Sequence, residues 1–211
     1  MLSDFRSHKA EILLGTQMVT KGHDFPDVTL VGVLNADTSL YLNDYRANER
    51  TFSMLTQVIG RAGRSEKEGR ALIQTMNPDH DVIQLACRQD YKAFFKHEIE
   101  TRRLLSYPPY CDIVLLTLSG ISESAVLKDS KMLSDMIREK IGGDFRGVPI
   151  VCYGPFEAPV YKLDNKYRIR IVIKTKLNKL SREMFAEIYK TFGKRKKNEP
   201  QLSVDFNPSS L

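Results

Sequence analysis

The chain has 211 residues, 42% hydrophobic and 27% charged, within the range of soluble globular proteins and long enough for one large or two ordinary domains. It has no apolar run of about 18 residues for a membrane span and no charged-then-apolar leader, and Cys87, Cys111 and Cys152 are too scattered for a zinc or disulfide frame, so a reducing cytoplasm is expected and no metal site is read here. The net charge of +6 is lopsided: residues 1–105 hold 14 Lys and Arg against 14 Asp and Glu, and residues 106–211 hold 18 against 12. The C-terminal half is therefore the one suited to a polyanionic partner, with a solvated lysine-rich face as the alternative.

Residues 11–16, with Ile12, Leu13 and Leu14 ahead of a Gly15-Thr16 exit, and the β-branched run 28–34 read as buried strands. Between them residues 18–21 have room for one helical turn, closed by Gly22 and barred from continuing by Pro26. Apolar spacing predicts a helix over 49–59 and a third strand over 70–75, so strands and helices alternate as in a parallel α/β sheet. From residue 78 the pattern is helical, with Asp79 and Asp90 as expected N-caps. Pro108 and Pro109 then exclude helix, and the domain boundary is placed there, giving domains 1–106 and 107–211.

The second half reads β-α-β-β-α-β. A strand over 111–119 precedes a helix over 122–141 whose expected apolar face carries Val126, Leu127, Met132, Leu133, Met136 and Ile137. A strand from 149 is interrupted at Gly154-Pro155 and resumes over 158–163; Asp164-Asn165 turns into an alternating strand over 167–175; a helix over 180–192 and a strand over 202–206 close the domain. The order is that of a ferredoxin-like α+β domain. Lys166, Arg168, Arg170 and Lys174 share one strand face by period-two counting, which suits a DNA backbone or an acidic protein tail, a solvated outer face being the plain alternative for each. Tyr153, Phe156, Tyr161 and Tyr167 are either base-stacking or packing residues.

The chemistry concentrates at two stretches. Gln57, Gly60, Arg61, Gly63 and Arg64 place two guanidiniums three residues apart on one side of a helical turn, each a planar fork of donors matched to phosphate oxygens. Alone, they have cations answering a helix C-terminus as the plain alternative. Upstream, Gly15-Thr16-Gln17 and Lys21-Gly22-His23-Asp24 complete a pair that resembles motifs V and VI of the second RecA-like lobe of superfamily-two helicases, which are P-loop NTPases. Residues 15–26, Leu34-Asn35-Ala36-Asp37, residues 44–50 and Tyr107-Pro108-Pro109-Tyr110 further resemble the PriA family of primosomal replication-restart helicases.

That resemblance implies a partial RecA-like helicase lobe followed by the family's C-terminal domain. Arg61 and Arg64 take the place of arginine fingers on the γ-phosphate of ATP, Gln57, Gly22 and Asp24 lie near the nucleotide, and Asp24 is a candidate for a ribose hydroxyl. Thr16 and Gln17 fall on the DNA side, Lys21 suits either side, and His23 is a hydrogen-bonding or packing residue. Arg46 and Arg50 either couple nucleotide to DNA or pair with Asp44 and Glu49.

The implied activity is that of an ATP- and magnesium-dependent 3′-to-5′ DNA helicase acting in primosome assembly and restart of stalled forks. Forked or single-stranded DNA, single-stranded DNA-binding protein and other primosome proteins are the implied partners, and the family's zinc is bound outside this region. The sequence shows no G-x-x-x-x-G-K-[ST] loop and no Asp-Glu-x-His segment, so the chain is expected to carry half of an ATP site and to be inactive as an ATPase alone. A non-catalytic module that binds nucleic acid or the tail of single-stranded DNA-binding protein is the alternative. An uncovered edge ahead of Met1 is expected to favour self-association.

Overall fold

A computed structural model describes residues 2–16, 25–42, 44–62, 68–193, 195–196 and 198–211. The chain divides into two units, Met1–Glu100 and Thr101–Leu211.

In the first unit a short helix α1 (Leu2–Arg6) precedes strand β1 (Leu30–Val33), a helical turn α2 (Asp37–Leu40), helix α3 (Ala47–Ile59), strand β2 (Arg70–Ile73) and helix α4 (Asp81–Cys87). Helix α5 (Tyr91–Leu104) follows. β1 and β2 pair in parallel, with Leu30 opposite Arg70 and Val33 opposite Ile73, as the alternating pattern predicts. The strand expected over 11–16 is not formed. Ile12 and Leu14 are 86% and 77% exposed, and the segment has no ladder partner among the described residues, so its backbone groups are left to solvent. The helical turn expected over 18–21 lies outside the described residues.

Helix α3 is the hub of this unit. Ala47, Thr51, Phe52, Leu55 and Val58 are its buried residues, the stripe that 3.6 residues per turn lays along one face. Phe52 and Leu55 cluster with Val82, Ile83 and Ala86 of α4, Phe94 of α5, and Ala36 and Leu40. Phe52 stacks on Phe94 with ring centroids 4.1 Å apart. The N-cap of α4 is His80, whose Nδ1 accepts from the Val82 amide at 3.3 Å, so the cap falls one residue beyond the expected Asp79. Asp90 does serve α5, its Oδ1 accepting from the Ala93 amide at 3.0 Å.

The second unit contains strand β3 (Asp112–Gly120), helix α6 (Glu123–Gly142), strands β4 (Ile150–Leu163) and β5 (Lys166–Thr175), helix α7 (Lys179–Gly193) and strand β6 (Gln201–Phe206). The sheet runs β4-β5-β3-β6 with every pair antiparallel, which is the split βαβ arrangement that the element order predicts. Ser122 caps α6. The β4–β5 turn places both Asp164 and Asn165 at positive φ, 50° and 60°, the twist that a two-residue hairpin demands.

β4 is one strand rather than two. Its register against β5 shifts between Tyr153 and Phe156 and again between Glu157 and Lys162, so Gly154-Pro155 makes a bulge where the sequence suggests a break. Val114, Leu116 and Leu118 of β3 and Ile169, Ile171 and Ile173 of β5 face Val126, Leu133 and Ile137 of α6 and Met184, Phe185, Ile188 and Phe192 of α7. Leu127 and Met132, expected on the apolar face of α6, are exposed, because Asp129, Ser130 and Ser134 occupy the buried stripe between Val126 and Ile137. Asp129 is accommodated there by an ion pair to Arg195, which takes that cation out of the solvent-facing charge. Asp112 and Asn207 tie the end of the sheet: Asn207 donates through Nδ2 to Asp112 at 2.9 Å and accepts from the Ile113 amide at 2.9 Å.

Candidate nucleotide and nucleic-acid sites

The first candidate site stands at the C-terminal end of α3. Gly60 is the C-cap, its amide bonded to the Thr56 carbonyl at 3.0 Å, and the Arg61 amide returns to the Val58 carbonyl at 3.0 Å. A Cβ on Gly60 would meet the Thr56 carbonyl oxygen at 3.3 Å, so this glycine relieves crowding within its own helix. Gln57 is exposed in the last turn of α3, and Arg61, just beyond its C-cap, is half-buried. With Val58 and Leu55 sunk in the core, the helix cannot rotate without unpacking the unit, which fixes where Gln57 and Arg61 emerge.

The other end of α3 is fixed as well. Asp44 accepts from the Arg46 amide at 2.9 Å, and its carboxylate, 6% exposed, stands 2.9 Å from a guanidinium nitrogen of Arg50. The arginine-rich stretch 44–50 thus contains the ion pair that one of the two sequence readings requires for Arg50, and Arg46 lies over the Tyr45 ring at 5.1 Å. Asp37 joins the strand ends: it accepts from the Thr75 hydroxyl and the Met76 amide, both at 2.8 Å. Those donors, the Met76 amide first, hold its carboxyl below the usual carboxylate range.

Thr16 is exposed. Gln17, Lys21, Gly22, His23, Asp24 and Arg64 lie outside the described residues. Among the described residues no group of three His, Cys, Asp or Glu side chains stands close enough to hold a metal ion.

The second candidate site is the face of the C-terminal sheet turned away from α6 and α7. Opposed residues of an antiparallel pair share a face, and the register lays this one out in rows. Tyr153, Val172, Leu115 and Asp205 form the first; Phe156, Arg170, Thr117 and Ser203 the second; Arg168, Ser119 and Gln201 the third. Lys166 follows at the turn end of β5, exposed, with Arg168 and Arg170 half-buried. Burial, and then the neighbouring Arg168, lower the pKa of Arg170, and its buried Nε has no hydrogen-bond partner among the described residues.

Lys174, at the opposite end of the strand, is engaged within the unit. Its ammonium donates to the Leu105 carbonyl at 2.7 Å and lies 3.7 Å from the centroid of the Tyr107 ring. Burial also lowers its pKa. It clasps the Tyr107-Pro108-Pro109-Tyr110 link onto the sheet, a role that strand periodicity alone does not reveal. Of the four aromatics weighed for stacking, Tyr161 and Tyr167 pack against the core. Tyr161 also donates to Glu123 at 2.7 Å. Tyr153 and Phe156 stay 45% and 43% exposed.

The family model described as the primosomal protein N C-terminal domain matches residues 103–209. The chain belongs to that family. A second model, the helicase conserved C-terminal domain, matches residues 1–66. Among curated relatives, a replication restart protein PriA of Bacillus subtilis (strain 168) is 40% identical over 209 residues, covering 99% of this chain and 25% of the relative. The protein of that name from Synechocystis sp. is 39% identical over 174 residues, covering 82% and 20%. The one from Haemophilus influenzae is 31% identical over 210 residues, covering 100% and 28%. The chain therefore spans about a quarter of the length of the relatives it matches.

Proposed function

We propose that this chain is the C-terminal part of an ATP- and magnesium-dependent 3′-to-5′ DNA helicase that acts in primosome assembly and restart of stalled replication forks. It carries one side of the nucleotide site and a nucleic-acid-binding domain. The observation that carries the first half of this reading is the placement of Arg61: half-buried, just beyond the C-cap of a helix locked by its core stripe and by Asp44 and Arg50. A guanidinium so held offers a fixed fork of donors to a phosphate without reorganising.

When ATP is bound it supplies the phosphoryl group to be transferred. Arg61 and Arg64 would stand against the charge that develops on its γ-phosphate, while Gln57, Gly22 and Asp24 hold the nucleotide from the same side. The phosphate-binding loop and the magnesium-holding acid belong to another part of the full-length protein, so the chain alone has no turnover in this reading.

The C-terminal sheet presents Lys166, Arg168 and Arg170 to a DNA backbone, with Thr16 and Gln17 as further backbone contacts on the lobe. Lys174 supports this face through its clasp on the link. Single-stranded DNA-binding protein and other primosome proteins are the proposed protein partners, and the cytoplasm the proposed location. Zinc, where family members hold it, would be bound outside this chain.

The test is Arg61→Ala and Arg64→Ala in the full-length protein. Each should lower DNA-stimulated ATP turnover by on the order of a thousandfold or more while leaving DNA affinity within about threefold. ATP turnover at the parent rate in the double variant would exclude the arginine-finger role.

A further inference from the structure

We infer that the open face of the C-terminal sheet takes single-stranded rather than duplex DNA, with Tyr153 and Phe156 as stacking platforms for unpaired bases and Arg168 and Arg170 as backbone contacts. The inference rests on the reading that this domain contacts DNA, and adds which form and by what means.

Three features of the face support it. Tyr153 and Phe156 stand in adjacent rows on the edge strand, directly across from Val172 and Arg170. Neither joins the packed core, in contrast to Tyr161 and Tyr167. Both rings remain about half exposed on a face that also carries Arg168, Arg170, Thr117, Ser119 and Gln201, with Tyr153 held on one side by the Lys174 ammonium 5.6 Å from its ring centroid.

The bulge aims one of them. Gly154 has φ of +104°, and a Cβ there would lie 3.0 Å from Cδ1 of Phe156 and 2.8 Å from the Arg170 carbonyl oxygen. Only a glycine lets the ring settle against the backbone at this point, beside the strand that carries the two arginines. A bulge is a device that redirects a side chain from the place regular pleating would give it.

The third feature is the pairing of rings with cations. Asp205 is the carboxylate in the rows described, and it lies opposite Leu115, away from the Arg168 and Lys166 end. Paired bases offer a protein their edges and backbone, with their π-faces hidden in the stack. Unpaired bases offer those faces, and aromatic side chains beside a basic track are how single strands are held without sequence preference. An acidic peptide would use the cations and leave both rings unexplained.

The experiment is fluorescence anisotropy of the 211-residue chain with a labelled oligothymidylate, an abasic oligonucleotide of the same length and a duplex. The parent should bind the oligothymidylate about a hundredfold more tightly than the abasic strand, which has the same charge and lacks both stacks. Tyr153→Ala and Phe156→Ala should each weaken the oligothymidylate about tenfold, the usual scale of one lost stack, with abasic and duplex affinities unchanged. Phe156→Leu, which keeps an apolar side chain and the fold, should behave as Phe156→Ala.

If the parent binds oligothymidylate and the abasic strand equally, and the aromatic variants change nothing while Arg168→Ala and Arg170→Ala weaken every substrate, stacking is overturned and the DNA reading stands. Failure of the parent to bind any of the three overturns both. Dependence on Tyr153 and Phe156 for an aspartate-rich peptide alone would overturn the assignment to DNA in favour of a protein tail.

Discussion

Gly154→Ala tests the geometry of the bulge directly. At φ of +104° an L-residue costs about 1–3 kcal/mol relative to glycine. The added methyl would also meet the Arg170 carbonyl oxygen at 2.8 Å and the Phe156 ring at 3.0 Å. The ring can swing away, but the carbonyl belongs to the β5 ladder, so the strands must part by a few tenths of an ångström. Overpacking of this kind costs about 1–3 kcal/mol. The sum is about 2–6 kcal/mol, which for a domain of this size lowers the melting temperature by roughly 10–25 °C.

Gly142→Ala is the matched control. Gly142 closes α6, and a Cβ there would meet nothing within 4 Å, so alanine should leave stability unchanged or raise it by up to about 1 kcal/mol. Urea unfolding of both variants beside the parent, with calorimetry for the melting temperatures, separates the two cases. A Gly154→Ala protein within about 0.5 kcal/mol of the parent would refute the argument that the bulge requires glycine, and with it the stated reason for where Phe156 points.

Two further outcomes can be measured. Arg50→Ala strands the buried Asp44 carboxylate and should destabilise the first unit by about 1–3 kcal/mol, less than a fully buried pair because the Arg50 side chain is itself 42% exposed; Asp44→Asn on the same background should recover part of that loss in a double-mutant cycle on denaturant unfolding, and additive losses would show that the pair is not coupled. Tyr161, bonded to Glu123 and with its pKa pushed up to about 12, keeps its proton in the folded chain after an unfolded tyrosine near pH 10 has lost it. It therefore contributes stability that is full below pH 10 and is lost as pH rises toward 12. Phenolate absorbance should show one late-titrating tyrosine that Tyr161→Phe removes, and an unchanged titration curve in that variant would reject the assignment.

Where periodicity had one answer, the structure agrees with it. β5 alternates strictly, so its buried isoleucines and outward cations were legible, and the order β-α-β-β-α-β left the split βαβ sheet as the natural arrangement. The end of α3 was legible too, because Gly60 follows a run of correctly spaced apolar residues. Other features depend on neighbours that a linear pattern does not display. Residues 11–16 are as apolar as a strand, yet strand formation needs a ladder partner. Leu127 and Met132 lost the inner face of α6 to Asp129, Ser130 and Ser134 by a shift of one position around the helix. Lys174 fits the outward period and is still engaged by Leu105 and Tyr107, which only the folded chain brings to it. The grouping of Phe156 with Arg170 is a property of register across a bulge, and register belongs to a pair of strands rather than to either one.

The strand order has a consequence for how the C-terminal unit is made. β3 emerges from the ribosome first among the four strands, and its Val114, Leu116 and Leu118 remain without a partner along one edge until β6 is synthesised some 80 to 90 residues later. Such distant pairing is slow relative to local structure, and an open apolar edge is a template for pairing with other chains. Nascent chains of this domain are thus at their most vulnerable just before completion. Removing residues 201–211 would make that interval permanent, leaving a central strand as an exposed border of the sheet.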